Sequence, residues 1–403
     1  MTNPSARPAS SPASRRRGPV LGALLAGAAS ALVLVACGGG GSADTTAAAA
    51  SYTAGPISGL GSIIVNGVRF DDSRATIQSL DDDSHQGLKL GMMVEVESSG
   101  IDDSTSRATA TSIRFGSEIV GPVASPDSVA QTIMLLDQTV QITATTVFDD
   151  SLVGGFAALT AGKVVEVHAL FDAATGRYSA TRIEDKTGAT AYRLRGTVSA
   201  LTATTFKIGN AVVNYAGVPA AELPRLADGL KVRVRLQTAQ VAGQWLAISV
   251  RTGVKRVDDH GDARLFGLVT RAITPDQRFA VEGIEVDASR AEFEPNAAAV
   301  KLGAIVSVRG SASNGVIVAS KVKVLSGHSD SSLEVELHGA LASLDPVAKT
   351  FMLRGVKIDF SRAVFKDISI AQLGTALAGK LEVKGVWSAD HSVLIATKVE
   401  LDD

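Results

Sequence analysis

The chain has 403 residues, with 39 Lys and Arg against 41 Asp and Glu, and a single cysteine. A nearly neutral balance gives no general attraction to nucleic acid or anionic lipid, and one thiol excludes an intrachain disulfide. Few aromatics beside plentiful Val, Ala, Thr and Gly favour short strands joined by tight turns.

Residues 1–18 are polar and end in Arg15-Arg16-Arg17-Gly18, and the uncharged run PVLGALLAGAASALVLVA follows at 19–36. A basic segment, an apolar segment and small residues near a cut site form a secretory signal peptide. Read instead as a membrane span, eighteen residues rich in Gly and Ala are marginal. Cys37 closes the run and is followed by Gly38 to Gly41, Ser42 and the stretch ADTTAAAAS. A buried structural cysteine does not fit that setting, and residues 37–54 read as a flexible tether.

Leu34-Val35-Ala36-Cys37 resembles the lipobox of bacterial lipoproteins. The resemblance implies that the peptide is cut after Ala36, that the Cys37 thiol carries a diacylglycerol and that the new amino terminus carries a further acyl chain. Several chains anchor firmly where one does not, so the membrane becomes a partner through the lipid. Gly rather than Asp at position 38 implies the outer membrane, with the protein facing the periplasm or the cell surface. The processed chain of 367 residues has lost four arginines and carries 35 basic and 41 acidic residues, a net charge of −6.

From Gly55 onward one pattern occurs five times. LKLGMMVEVES at 88–98 is echoed at Gly162-Lys-Val-Val165-Glu-Val167, Gly229-Leu-Lys-Val232-Arg-Val234, Gly303-Ala-Ile-Val306-Ser-Val308 and, one residue shorter, Gly379-Lys-Leu381-Glu-Val383. Downstream of each lies an Ala-x-x-aliphatic unit, beginning at Ala110, Ala180, Ala247, Ala319 and Ala396. Upstream lies a glycine before a short aliphatic stretch, at Gly55, Gly121, Gly196, Gly267 and Gly339. Alternation gives about five strands per copy, with a turn glycine after the second and a variable insertion after the third. The fold class is therefore all-β, a tandem array of about five small OB-like five-stranded barrels, at 55–116, 117–190, 191–257, 263–325 and 333–402. The recurring upstream glycine is read as a corner-former. Polar joints such as KRVDDHGDA at 255–263 suggest separate beads with few core contacts between them. In the second copy Asp137-Gln138 replaces the turn glycine, which puts strand register there in question.

The Gly-x-x-Val-x-Val unit, its Ala-x-x-Val partner and the lipobox together resemble bacterial lipoproteins built from repeats of domain of unknown function 5666. GPISGLGSIIVNGVRF at 55–70 looks like the first such repeat. The resemblance implies no activity.

The outward positions of the fourth strands read Glu95 and Glu97, Glu166 and His168, Arg233 and Arg235, Ser307 and Arg309, Glu382 and Lys384. The frame recurs and the chemistry does not, which argues against a shared catalytic site. None of the six histidines stands in a known metal spacing. Asp81-Asp82-Asp83-Ser84-His85 and Asp258-Asp259-His260-Gly-Asp262 read as solvated turns. No catalytic residue, metal or cofactor is expected. The third copy stands out: ten basic residues face only Glu222 and Asp228, while the first and second copies are net −4 and −5. One reading makes Arg233, Arg235, Arg251, Lys255 and Arg256 a polyanion site for an envelope polysaccharide, with Tyr215 or Trp245 for stacking; nucleic acid is not expected. The other packs this copy against its acidic neighbours. The leading expectation is a non-enzymatic binding or structural module with a polysaccharide or protein partner. The rival is an envelope enzyme whose site lies between repeats.

Overall fold

The computed structural model describes residues 50–81, 87–253, 257–325, 335–373, 380–388 and 391–402. Ala36, Cys37, Lys255, Arg256, His85 and the shortened segment at Gly379 lie outside the described residues.

Barrel 1 sets the pattern. β1 (Ser51–Leu60), β2 (Ile63–Val65) and β3 (Val68–Asp71) form an antiparallel meander. The short β4 (Thr76–Ser79) follows, and the hairpin of β5 (Met93–Ser98) and β6 (Arg107–Phe115) completes the unit. β5 runs antiparallel to β1 and β6 parallel to β3, so the ring closes in the order β1-β2-β3-β6-β5. This is the OB topology. The same pairings build the barrels that open with Ile119–Asp127, Tyr192–Ser199, His260–Arg271 and Val335–Asp345. The insertion is a 3-10 turn in barrels 2, 3 and 4 and the short helix Ile370–Leu373 in barrel 5. The tether ends earlier than position 54, because Ser51 to Ala54 are buried strand residues.

The repeated motifs have specific physical causes. In each closing hairpin the register slips by one residue, at Glu97/Ser98, His168/Ala169, Arg235/Leu236, Arg309/Gly310 and Lys384/Gly385. The slip is a β-bulge, and its extra residue stretches the ordinary period of two to three. Ala110 and Ile113, like Ala180 and Ile183, therefore both point into the core. The upstream glycine is not mainly a corner. A Cβ at Gly196 would stand 2.3 Å from Ile208 Cγ2, and one at Gly121 would stand 2.8 Å from Leu136 Cγ. The glycine leaves room for the neighbouring hairpin to cross the strand. Register holds at the second copy, where Leu135 pairs with Gln138 and Leu136 and Asp137 adopt φ of 47° and 61°. These are the angles a two-residue hairpin turn needs.

The barrels are not separate beads. β1 pairs in parallel with the first strand of barrel 4 from Ser51↔Asp262 to Ala54↔Leu265, and with that of barrel 5 at Gly59↔Glu336. The opening strands of barrels 2 and 3 pair at Ile119↔Leu194. Tyr52 and Ala54 belong to the barrel 4 core, and the cores of barrels 1 and 5 form one cluster. The polar joints are surface connections over a body whose strands continue from barrel to barrel. A closed ring has no edges along its middle, but the projecting ends of its first strand still offer free backbone groups to a neighbour.

Candidate functional site

Barrels 1, 2 and 3 turn their closing hairpins toward one another. The alternation expected from sequence is present: Val94, Val96, Val165, Val167, Val232 and Val234 are buried in barrel cores. Their outward neighbours, however, do not all meet water. Glu95, Glu166 and His168 are buried, because the outer face of one barrel is covered by the next. Between the three barrels lies a polar chamber of about 510 Å³, lined by Asp81, Lys89, Glu166, His168, Lys186 and Arg193 among others.

Asp81 is the hub of this interface. It follows β4, and its side chain is 3% exposed. Oδ2 accepts a hydrogen bond from the Ser117 backbone N–H at 2.7 Å. Oδ1 lies 3.4 Å from Arg193 Nε, 3.8 Å from Arg195 Nη2 and 3.5 Å from Arg233 Nη1. Arg193 also reaches Glu166, and Arg195 reaches Glu118. Three guanidinium groups of barrel 3 thus meet three carboxylates of barrels 1 and 2. Burial works against the Arg195 charge, but Glu118 and Asp81 outweigh it and raise its pKa. Gly116 leaves space for the hub, since a Cβ there would stand 2.7 Å from Arg195 Nη2.

This corrects two expectations. Asp81 is not in a solvated turn, and Arg233 is half-buried against a carboxylate instead of lying on an open basic face. Three of the ten basic residues of the third copy, Arg193, Arg195 and Arg233, meet carboxylates of its acidic neighbours. Lys231 likewise turns inward, donating to the Glu282 carbonyl of barrel 4 at 3.0 Å. Arg235 and Arg251 stay exposed, with Arg235 at the chamber rim. The stacking residues are also engaged. Trp245 is 7% exposed and its indole N–H donates to Asp137 at 2.9 Å. The Tyr215 hydroxyl donates to the Thr202 carbonyl, and its ring packs on Phe206.

A second layer of pairs lines the chamber on the barrel 2 side. Arg182 bonds Glu184 at 2.5 Å and Asp149 at 3.3 Å, and Lys89 of barrel 1 reaches both carboxylates. Burial opposes ionisation of Glu184, yet the Arg182 guanidinium holds its carboxyl below the usual range. His168 lies directly opposite Arg182 in the ladder. Burial pushes its imidazole below the ordinary value, against the pull of Glu166 and Glu184, and its Nδ1 has no partner. It is therefore neutral at neutral pH.

A second polar cluster, missed in the sequence, joins barrels 1 and 5. His338 Nδ1 lies 2.8 Å from Asp402 Oδ1 and 3.2 Å from Arg69 Nη1, and its Nε2 lies 2.7 Å from Glu336 Oε1. Arg69 of β3 pairs with Asp402, and Lys384 pairs with Glu336 and Glu382. Glu336, His338 and Glu382 stand close enough to hold a cation, with ligand atoms within 4.8 Å of one another. Lys384 Nζ, 3.1 Å from both glutamates, already occupies them as an ion-pair partner. A signal existed: Glu336-x-His338 and Glu382-x-Lys384 have the spacing of one strand face, and their strands pair at His338↔Glu382.

Chemically, both clusters set carboxylates against cations across a seam between barrels. Such pairs fix geometry, and removing one partner leaves a costly buried charge. The fold and these interfaces define a fused array of OB-topology barrels. A family described as a domain of unknown function (DUF5666) matches residues 54–114, 120–184 and 266–323, which are barrels 1, 2 and 4. Three of the five barrels match this domain, and barrels 3 and 5 share their topology. No curated protein matches the chain.

Proposed function

We propose that this chain is a lipoprotein of the bacterial envelope, held at the outer membrane by acylated Cys37, and that it acts as a non-enzymatic binding or structural module. The observation that carries this reading is the use made of charge. Arg193, Arg195 and Arg233 join barrels to one another through Asp81, Glu118 and Glu166, and no outward group is common to all five repeats. The test is fractionation of the exported protein. Cys37→Ser should move it from the membrane pellet to the soluble fraction, and a variant still wholly in the pellet sinks the anchor.

Two other readings have an observation each. Exposed Arg235 and Arg251 on adjacent strands favour weak polyanion capture. Full-length protein should then bind a heparin-type resin in low salt and release steeply as salt rises; failure to bind leaves the arginines as internal ties and surface charge. The titratable chamber favours an enzyme between barrels. Burial holds its His168 toward the neutral form, so a hydrolytic activity that survives His168→Leu does not use this histidine as its base.

A further inference from the structure

The polar chamber between barrels 1, 2 and 3 has the volume of a small-molecule pocket, about 510 Å³ against a range of roughly 300–1,000 Å³. Its wall carries five carboxylates, four cations and His168, together with the connection Thr187 to Ala191 and a smaller apolar part that includes Met92, Phe115 and Val120. Every one of those carboxylates is met by a cation. Asp81 faces three arginines, and Asp149 and Glu184 share Lys89 and Arg182. Glu166 has Lys186 and Arg193, and Asp185 has Lys163. Three of the four cations on the wall are used in these pairs. The fourth, Arg235, is exposed and has no anionic partner among the described residues.

The strand ladder gives this position a meaning. In barrel 3 the outward arginines stand directly opposite one another on paired strands, Arg195 across from Arg233 and Arg193 across from Arg235. Like charges so placed destabilise a sheet, and an anion set between them removes the penalty. The first pair has its anion: Asp81 Oδ1 lies 3.8 Å from Arg195 and 3.5 Å from Arg233. In the second pair Arg193 leans on Asp81 and Glu166, which leaves Arg235 uncompensated. Its neighbour on the other side is the uncharged Ser249. Arg235 is on the chamber wall, as is the exposed Thr190.

One uncompensated cation selects a single negative charge. A wall of ion pairs, hydroxyls and backbone suits a body that makes hydrogen bonds and disfavours a hydrocarbon chain. We infer that the chamber binds a small hydrophilic carboxylate of the size of a hexuronic acid. Its carboxylate takes the place beside Arg235 that Asp81 takes beside Arg233, and its hydroxyls meet the polar wall. The inference deepens the binding reading above, on which it rests, by naming an acidic sugar as the unit recognised; it does not depend on the lipid anchor.

The test is calorimetric titration of purified full-length protein with glucuronate, with glucose as the uncharged control and hexanoate as the carboxylate without hydroxyls. Glucuronate should bind about ten-fold more tightly than glucose, as one charge-assisted hydrogen bond provides, and more tightly than hexanoate. Arg235→Gln alters an exposed side chain, so it should fold normally and bring glucuronate to the affinity of glucose; if it fails to fold, the comparison of the three ligands on wild type decides. Arg225→Gln removes the same charge from an exposed position of barrel 3 away from the chamber wall, and should leave binding unchanged. Glucuronate bound no more tightly than glucose, hexanoate bound as tightly as glucuronate, an unchanged affinity in Arg235→Gln or an equal loss in Arg225→Gln each overturns the inference. Capture on a heparin-type resin without binding of glucuronate would overturn the chamber site and leave the polyanion reading standing.

Discussion

His168 and His338 are each 1% exposed and each lies on the outward face of a barrel strand, yet their protonation is driven in opposite directions. At His168, in the chamber between barrels 1, 2 and 3, burial dominates; the nearby glutamates are already matched by Arg182, Lys186 and Arg193, and Nδ1 has no partner. At His338, in the seam between barrels 1 and 5, burial again opposes the charge. There the hydrogen bonds to Glu336 and Asp402 outweigh burial and raise the pKa. The comparison teaches that burial alone does not decide the charge of a histidine. What decides it is whether the surrounding carboxylates have been satisfied by other cations first. At the first interface Arg182 and Lys186 of barrel 2 and Arg193 of barrel 3 engage the glutamates, and burial holds the histidine below its ordinary value. The second interface has fewer cations, and its histidine supplies one.

The comparison is most easily broken at the hub. Asp81→Ala removes the carboxylate that faces Arg193, Arg195 and Arg233, all less than one-fifth exposed. Removing one partner of a buried pair costs about 3–5 kcal/mol, and three cations share this one. Denaturant unfolding should show a loss of that size, with barrel 3 losing protection from hydrogen exchange before the others. A loss below about 1 kcal/mol would mean that the arginines find water and that the hub does not hold the barrels together.

The second test separates the histidines by pH. His338 has a folded pKa above its ordinary value of 6.5. Its contribution is therefore fully present below about pH 6.5 and is lost as pH rises through the folded value. The groups facing it are Arg69 from β3, Glu336 on its own strand, Glu382 and Lys384 on the neighbouring strand, and Asp402 near the end of the described chain. Asp402 and Glu336 are held below the usual carboxylate range despite burial, by Arg69 and His338 in the first case and by His338 and Lys384 in the second. Their own contribution disappears only when pH falls well into the acid range. Between those limits, wild type should lose stability relative to His338→Gln as pH rises from about 6 to 9, by about 1–3 kcal/mol in total. Parallel curves for the two proteins would show that the fold does not raise the pKa of His338.

Much of this architecture was legible because the repeats expose their own rules. Four occurrences of Gly-x-x-Val-x-Val with a fifth one residue shorter, and five of Ala-x-x-aliphatic, fix strand number, inward faces and the place of the insertion. The odd spacing of the second motif even records the bulge, although that meaning needs the ladder from Ala110 to Ser98 to be seen. The net charge of the third copy was legible as well, together with its two uses, ligand capture or packing. Which use holds was not, because it depends on Asp81, a residue 112 positions from Arg193 that local reasoning places in an open loop. The fusion of barrels was hidden for a similar reason. β1 pairs with strands more than 200 residues away, and nothing in its own alternation distinguishes a strand that pairs inside its barrel from one that also pairs outside.

The smallest effect is expected at His168, and it sharpens the contrast most. Its folded pKa lies below 6.5, so the unfolded chain takes up a proton more readily than the folded one. The sign is opposite to that of His338: stability is fully present above about pH 6.5 and falls as pH drops toward the folded value. His168→Leu replaces a neutral, partly unsatisfied ring with an apolar side chain of similar bulk. At pH 8 the change should be nearly neutral, within about 1 kcal/mol, because replacing a buried polar group that lacks partners loses little. At pH 5 the variant should be the more stable protein, since wild type must either protonate a buried ring beside Arg182 or unfold, and the leucine has no proton to take up. Urea midpoints of the two proteins at pH 8, 6.5 and 5 give the answer directly. If wild type is instead the more stable at pH 5, His168 is charged in the fold, its glutamates are not fully engaged by arginine and lysine, and the distinction between the two interfaces fails.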